Sequence, residues 1–293
     1  MTAPTPTERG RDPRRTEGSK EPAAQRPRRR LAAGLSIAAL LLPLGAALAR
    51  SGPPSLPRAA AVLPATPVAV PAAVPRRLVV LGDSVPAGSA CHCPGFGTVL
   101  AAQQSADLTN EAMPGLTSGG LLAQLHTPQV VTALSSATIV TVTVGANDFP
   151  DTQAGDAVCA DLSCYHGALA RLTTTINAVV AKIAALTRPG TKIVVTGYWN
   201  VFLDGSVAAQ RGPTYVSISN ALTRAVNSAL AAASHAHHDL YVDLYTPFKG
   251  NGADDDTDLL AEDGDHPNSL GQQAIATAIT QSLHSCARCL GQR

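Results

Sequence analysis

From residue 76 onward, short apolar runs alternate with longer segments in which apolar residues recur at helical spacing. Residues 78–81 are all aliphatic, which is typical of a strand buried on both faces of a sheet. Residues 137–144 give the clearest strand pattern, because β-branched residues dominate them. Further strands are predicted at residues 107–110, 192–196 and 240–244. Helices are predicted at residues 98–104, 118–125, 167–186, 213–235 and 269–283, with Asn268 placed to cap the last one.

Strands that alternate with helices of this length predict a parallel sheet covered by helices on both faces. The expected fold class is therefore α/β, a three-layer α/β/α sandwich with a central parallel sheet. No internal repeat is visible in the sequence. We expect residues 76–293 to form a single domain.

The first 75 residues have a different character. Arg26 and the arginines at 28–30 precede an uncharged run, residues 31–49, that ends Ala47-Leu48-Ala49. A basic segment, an apolar run and a small-x-small site are the layout of an export signal, predicted at residues 1–49. The run is also just long enough to cross a bilayer, so an uncleaved membrane anchor through 31–49 stays open. Residues 50–75 are rich in Pro, Ala and Val and are predicted to be an extended linker.

Composition narrows the possible function classes. Hydrophobic residues make up 45% of the chain and charged residues 15%, which is enough apolar material for a full core and excludes a disordered protein. The formal net charge is only +1, and the basic residues crowd into the first 30 positions. We therefore expect no nucleic-acid partner. The basic cluster belongs to the targeting segment, which predicts that most of the protein lies outside the cytoplasm.

Chemically useful residues collect at one edge of the predicted sheet. Ligands of open α/β sheets bind beyond the carboxyl ends of the strands. The residues that follow those ends include a serine, two glycines, an asparagine and a histidine among carboxylates. They lie in Gly82-Asp83-Ser84, in Asn110 with Gly115, in Gly145-Ala146-Asn147-Asp148, and in Asp263-Gly264-Asp265-His266.

These residues match the needs of acyl transfer. A serine hydroxyl such as that of Ser84 is a poor nucleophile until a base removes its proton, and His266 is suited to that role. Asp263 lies three residues before His266 and is placed to orient it, although Glu262 or Asp265 are alternatives. Candidate donors to a tetrahedral oxyanion are the backbone N–H groups of Ser84 and Gly115 and the side-chain amide of Asn147.

The four blocks, in this order and spacing, resemble the SGNH (or GDSL) hydrolase family. The resemblance covers essentially the whole domain and is closest to exported actinobacterial members. It implies a flavodoxin-like three-layer fold and hydrolysis of carboxylic esters without a metal or other cofactor. It also implies a nucleophile at Ser84, a base at His266, an orienting acid at Asp263 and oxyanion donors at Gly115 and Asn147. Val85 replaces the leucine of the family name, at a packing position.

Several of these residues also have plainer interpretations. Asp83-Ser84 after a strand is often only a helix cap, and Asn147-Asp148 is compatible with a simple turn. A cluster of histidines at 235, 237 and 238 suggests a metal site, but a solvated helix end away from the predicted site is favoured. Tyr198 and Trp199 follow a strand at the catalytic edge. They are predicted either to line the acyl pocket or to cover the sheet.

The six cysteines predict disulfide bonds in an exported chain. The last helix would carry Cys286 and Cys289 roughly 22 Å from the catalytic edge. They are predicted to pair with each other, because a disulfide joins Cα atoms only about 4.4–6.8 Å apart. The same span argues against a zinc site. Cys91, Cys93, Cys159 and Cys164 should pair among themselves, either within each loop or between the two loops.

The sequence thus predicts an extracellular serine esterase or lipase that acts on a small-molecule or lipid ester. Two other functions stay open: an enzyme that removes or transfers acetyl groups on a polysaccharide, and a non-catalytic binding module on the same fold. None of the expected site residues is missing, which argues against the binding module. The acyl chain length and the oligomeric state are left undetermined.

Overall fold

The structure, a computed structural model, describes residues 75–149, 159, 161–252 and 254–290, with only the backbone described for 286–290. These residues belong to a compact unit that spans Val68–Arg293. The predicted export signal or anchor, residues 1–49, and all but the last residue of the predicted linker lie outside the described residues.

Five parallel strands form one sheet. They are β1 (Arg76–Gly82), β2 (Ala106–Asn110), β3 (Ile139–Thr143), β4 (Lys192–Thr196) and β5 (Leu240–Val242), in the spatial order β2-β1-β3-β4-β5. This is the flavodoxin-like order, in which the chain reverses direction across the sheet between β1 and β3. The predicted α/β class and parallel sheet are confirmed.

Helices of the described part cover both faces of the sheet. They are α1 (Ser84–Ala87), α2 (Phe96–Gln104), α3 (Ser118–Gln124), α4 (Pro128–Ser136), α5 (His166–Leu186), α6 (Gly205–Gln210), α7 (Pro213–Ala236), α8 (Tyr245–Lys249) and α9 (Ser269–Leu290). Right-handed crossovers on either side of β1 place α2 and α5 on opposite faces. Accordingly α2 packs against α9, whereas α5 packs against α7 and α3.

The buried core accounts for both sequence patterns, the short apolar runs of the strands and the helical spacing of apolar residues. All five residues of β3 are buried, as expected for a strand covered on both faces. On α5 the buried residues recur at helical spacing. The segment Leu162–Leu186 is long and apolar enough to cross a membrane, but its apolar stripe packs into the core, as a core helix would. The stripe consists of Leu172, Ile176, Val179, Val180 and Ile183.

Five helices differ from the sequence-based expectation, among them the short helices α1 and α8, which were not predicted. α4 was not predicted, although Thr127 and Pro128 form a recognisable start, with proline in the first turn. α6 was not predicted either, although Asp204 caps it by accepting a hydrogen bond from the Gly205 N–H. α9 continues to Leu290 instead of ending near residue 283, because no Gly or Pro interrupts it there. The predicted cap by Asn268 is confirmed, since its side chain accepts from the Leu270 and Gly271 N–H groups.

Gly82 is required where β1 meets β3. Its φ is +131°, and a Cβ at this position would overlap the carbonyl oxygen of Thr143. Gly190 has a comparable positive φ of +88°, but a Cβ there would meet no atom within 4 Å. A side chain at Gly82 would therefore add both backbone strain and steric overlap, whereas one at Gly190 would add backbone strain alone.

We expect Gly82→Ala to lower the free energy of unfolding by roughly 2–6 kcal/mol, from backbone strain and overpacking together. Gly190→Ala, the matched control, should cost only about 1 kcal/mol, because it adds strain without overlap. Urea denaturation followed by circular dichroism measures both changes. Equal losses in the two variants would contradict the proposed overlap with Thr143.

Candidate active site

The first part of the candidate site is the turn that follows β1. The Asp83 N–H donates to the Thr143 carbonyl at 3.0 Å, which holds the turn against β3. The Asp83 side chain accepts from the Val85 N–H at 3.1 Å and caps α1. Ser84 is the first residue of α1 and is half-buried. As the first N–H of the helix, this group has no acceptor within the helix and is available as a donor. The helix-cap interpretation is thus correct for Asp83, and Ser84 is the half-buried first residue of the helix.

The second part is the turn that carries His266. Asp263 Oδ2 lies 2.9 Å from His266 Nδ1. The other oxygen of Asp263 accepts from the N–H groups of Asp265 at 3.1 Å and His266 at 3.0 Å. Asp265 Oδ2 is 3.7 Å from the same ring nitrogen, too far for a good hydrogen bond. Of the three carboxylates considered from the sequence, Asp263 therefore contacts the imidazole, and Glu262 makes no ion pair in the part of the chain that is described.

The two aspartates differ in electrostatics as well. Burial raises the pKa of Asp263, but the hydrogen bonds from the backbone of His266 and Asp265 and from the imidazole outweigh it, so the net shift is downward. Burial raises the pKa of Asp265 to about 6, despite the opposing charge of His266. Asp263 thus keeps its negative charge to lower pH than Asp265 does, and it is the carboxylate in hydrogen-bond contact with the imidazole, where it can stabilise an imidazolium.

The second imidazole nitrogen, His266 Nε2, is buried and has no hydrogen-bond partner among the described residues. The first nitrogen is held by Asp263, so the ring has one nitrogen oriented and the other free to accept a proton. No hydrogen bond joins Ser84 to His266 among the residues that the structure describes. Such bonds are often long in unliganded enzymes and shorten when substrate binds.

A hydrogen bond links the turn of Asn147 to Leu116, the residue that follows Gly115. The Asn147 amide donates to the Leu116 carbonyl at 3.2 Å, which ties the asparagine turn to the glycine loop. Next to this contact, both carboxylate oxygens of Asp148 accept from Ser118, one from its N–H at 2.9 Å and one from its hydroxyl at 2.7 Å. Gly115 is exposed and has a φ of +76°. The two predicted oxyanion donors therefore belong to one connected loop pair.

One hydrogen bond and one electrostatic interaction place these turns at a common edge. The Met113 N–H donates to the Gly82 carbonyl at 2.9 Å, which brings the glycine loop beside the serine turn. The charges of His266 and Asp265 both act on the Asp83 carboxyl, next to Ser84. The structure thus brings the serine, histidine, glycine and asparagine turns to the carboxyl edge of the sheet.

Tyr198 has a role that the sequence did not reveal. Neither Tyr198 nor Trp199 lines a pocket, because both side chains are fully buried. Trp199 stacks on Phe248 with ring centroids 4.5 Å apart. The Tyr198 hydroxyl donates to Asp83 Oδ2 at 2.5 Å, so it reaches the serine turn from below. The sequence did carry one sign of this contact, because Tyr198 lies two residues after the end of β4, at the same sheet edge as Ser84.

The cysteines near this edge form local pairs. Cys91 pairs with Cys93 across a Cα–Cα distance of 5.0 Å, and Cys159 pairs with Cys164 across 6.4 Å. The pairing is within each loop, and the alternative of cross-pairing is not found. The side chains of Cys286 and Cys289 are outside the described residues, so their pairing stays a prediction.

No group of three or more His, Cys, Asp or Glu residues suited to a metal occurs in the described part of the chain. The histidines at 235, 237 and 238 lie at the carboxyl end of α7, which precedes β5 and so lies at the opposite edge of the sheet. His235 contacts the ring of Tyr241 there, edge to face.

An open groove of about 570 Å³ borders the histidine turn. One wall is the loop of the first cysteine pair, and the other is the segment that leads to His266. The lining residues are Ala90, Cys91, His92, Leu260, Ala261, Glu262, Asp263 and Asn268.

A parallel sheet with a serine turn and a histidine–aspartate pair at its carboxyl edge is typical of three-layer α/β hydrolases. Residues 80–274 match the GDSL-like Lipase/Acylhydrolase family, so the chain belongs to this family of ester hydrolases. The predicted SGNH/GDSL membership is thereby confirmed. No curated protein sequence matches the chain.

Solved structures with the same fold include several hydrolases. A lipase from a goat rumen metagenome superposes with a TM-score of 0.60 at 20% identity, over 71% of this chain and 97% of the other. An extracellular lipase from Streptomyces rimosus gives 0.57 at 23% identity, over 71% and 99%. An acetylxylan esterase mutant from Geobacillus stearothermophilus gives 0.52 at 15% identity, over 71% and 93%. At these identities the similarity establishes the SGNH hydrolase fold.

The contacts of His266 predict which carboxylate matters for ester hydrolysis. Asp263→Asn should lower kcat by roughly 10²–10⁴-fold, because an amide cannot stabilise the imidazolium and favours the wrong tautomer. Asp265→Asn, the matched control two residues away, should change kcat by no more than about fivefold. Steady-state kinetics on a p-nitrophenyl ester compares the two. A larger loss in Asp265→Asn would reverse the assignment.

Proposed function

We propose that this protein is an extracellular serine esterase that hydrolyses carboxylic esters through an acyl-Ser84 intermediate. The observation that carries the proposal is the orientation of His266. Asp263 holds one imidazole nitrogen at 2.9 Å, and the other is buried without a partner among the described residues. The ring belongs to the same sheet edge as the half-buried Ser84 at the start of α1. This arrangement prepares a base for a serine nucleophile.

In the proposed reaction, Ser84 Oγ attacks the ester carbonyl carbon while His266 Nε2 takes the hydroxyl proton. The carbonyl oxygen becomes an oxyanion, which the N–H groups of Ser84 and Gly115 and the amide of Asn147 stabilise. Collapse of this intermediate breaks the bond to the alcohol oxygen, which receives the proton from Nε2. The product of this first half is an alcohol and an acyl-Ser84.

In the second half, a water molecule attacks the acyl carbon and His266 Nε2 takes its proton. The second tetrahedral intermediate collapses, the acid leaves and Ser84 Oγ regains its proton. Asp263 remains ionised throughout, since hydrogen bonds lower the pKa of its carboxyl. Its charge stabilises the imidazolium that forms twice in each cycle.

The proposed extracellular location rests on the predicted export signal at residues 1–49. The two local cysteine pairs agree with it, because disulfides persist in oxidising compartments. An uncleaved anchor through 31–49 would leave the same domain on the outer side of the membrane. The substrate partner in either case is a small-molecule or lipid ester.

Ser84→Ala should lower hydrolysis of short p-nitrophenyl esters by at least about 10³-fold, because the nucleophile is lost. The fluorophosphonate adduct seen by mass spectrometry should vanish with it. Ser135→Ala, which removes an exposed hydroxyl on α4, is the control and should retain full activity and labelling. Equal rates for the wild type and Ser84→Ala would exclude this mechanism, and a wild type that fails to label with the fluorophosphonate would revive the binding-module hypothesis.

The open groove favours a second candidate, a deacetylase that acts on a polysaccharide. The groove is lined by Glu262, Asp263, His92 and Asn268 besides small apolar residues, so it suits a polar alcohol group better than a long acyl chain. The solved acetylxylan esterase has the same fold.

A comparison of ester substrates separates the two candidates. If the groove holds the alcohol portion, kcat/KM should be highest for acetyl esters and acetylated sugars and should fall at least tenfold by an octanoyl chain. His92→Ala and Glu262→Gln should weaken only the acetylated sugars and leave the p-nitrophenyl esters unaffected. A profile that rises with chain length supports a lipase instead.

A further inference from the structure

The buried hydroxyl of Tyr198 contacts the turn that carries the candidate nucleophile. It donates to Asp83 Oδ2 at 2.5 Å. Asp83 immediately precedes Ser84, and its own N–H donates to the Thr143 carbonyl. One hydroxyl group thus holds the residue before the nucleophile.

Both partners of this hydrogen bond are inaccessible to solvent. Tyr198 is 0% exposed and Asp83 1%. A hydrogen bond in such surroundings has no competition from water and holds its partners in one geometry. Loss of the hydroxyl would leave a buried carboxyl oxygen without this partner, which is costly.

Tyr198 is itself held firmly from the other side. Asn227, on α7, accepts from the Tyr198 N–H at 2.8 Å and donates to the Tyr198 carbonyl at 2.7 Å. The next residue, Trp199, stacks on Phe248. The Tyr198 backbone is therefore fixed by two hydrogen bonds, and the hydroxyl extends from it toward Asp83.

The electrostatics keep the tyrosine a donor. Burial, together with the nearby Asp83 carboxyl, raises the pKa of Tyr198 well above its usual value. Burial also raises the pKa of Asp83 to about 7, although the bonds from Tyr198 and Val85 oppose the rise. The phenol consequently keeps its proton at neutral pH and remains the hydrogen-bond donor to Asp83.

We infer that Tyr198 is a positioning residue that holds the Ser84 turn in place through Asp83. The inference rests on the proposed serine-esterase function, since it assigns that turn the nucleophile. A misplacement of such a group by about 1 Å can cost 10²-fold in rate. Tyr198 touches no reacting atom and acts only through Asp83.

The test is Tyr198→Phe, which removes one oxygen and keeps the ring. We expect kcat on a p-nitrophenyl ester to fall about 10–100-fold, with KM changed less than twofold, because substrate binding away from the reacting carbon is untouched. The rate constant for inactivation by a fluorophosphonate should fall by the same factor, since it needs both the nucleophile and the oxyanion donors.

The matched control is Tyr245→Phe. The Tyr245 hydroxyl also donates a hydrogen bond, to Asn220 Oδ1 at 2.8 Å, but it contacts none of the site turns. This variant should keep the wild-type kcat and inactivation rate. If Tyr198→Phe also keeps them, or if its loss appears in KM alone, the positioning role is wrong.

Asp83→Asn provides the second, independent variant, for use also if Tyr198→Phe does not fold. It leaves one oxygen to accept from Tyr198 but cannot accept from the Val85 N–H as well. We expect a folded Asp83→Asn protein to lose kcat, and the double variant with Tyr198→Phe to lose little more than the stronger single one. A wild-type rate in Asp83→Asn, or fully multiplicative losses in the double variant, would overturn the inference. An inactive wild type would instead refute the proposed function.

Discussion

The close approach of β1 to β3 is the constraint on which the rest of the site depends. The last residue of β1 must be glycine, because a Cβ on Gly82 would overlap the Thr143 carbonyl. That same carbonyl accepts the Asp83 N–H one residue later. The chain therefore leaves β1 in a single direction and begins α1 at once. Ser84 is set at the start of a short helix by this backbone contact, before any side chain of the site is considered.

Parallel strands explain why distant blocks meet. The carboxyl ends of β1, β3 and β4 lie side by side, so the turns after them carry Ser84, Asn147 and Tyr198 to one edge. The histidine turn arrives from the segment before α9, which Asn268 caps. Two aspartates at this edge have different environments. Asp263 is held ionised by hydrogen bonds and orients His266, whereas Asp83 is buried and bonded to Tyr198.

Much of the fold could be predicted from the sequence, because the patterns that report it are local. Apolar runs such as residues 78–81 and helical spacing such as that of α5 depend on which side chains can be buried at a given period. α4 and α6 were missed although Pro128 and Asp204 mark their starts, because short helices carry a weak periodic signal. The extra turns of α9 were missed because no stop residue could be read there.

The sequence by itself determined the parallel α/β class and the residues that form the candidate site, since each block follows a strand and together they resemble one family. The family resemblance favoured Asp263 as the partner of His266, but only the tertiary structure showed the contact, because Glu262, Asp263 and Asp265 all lie within four residues of His266 and the path of one turn decides between them. It also decided that Tyr198 contacts Asp83 and lines no pocket. Contacts between residues 115 positions apart depend on how strands are ordered in the sheet, which no local pattern encodes.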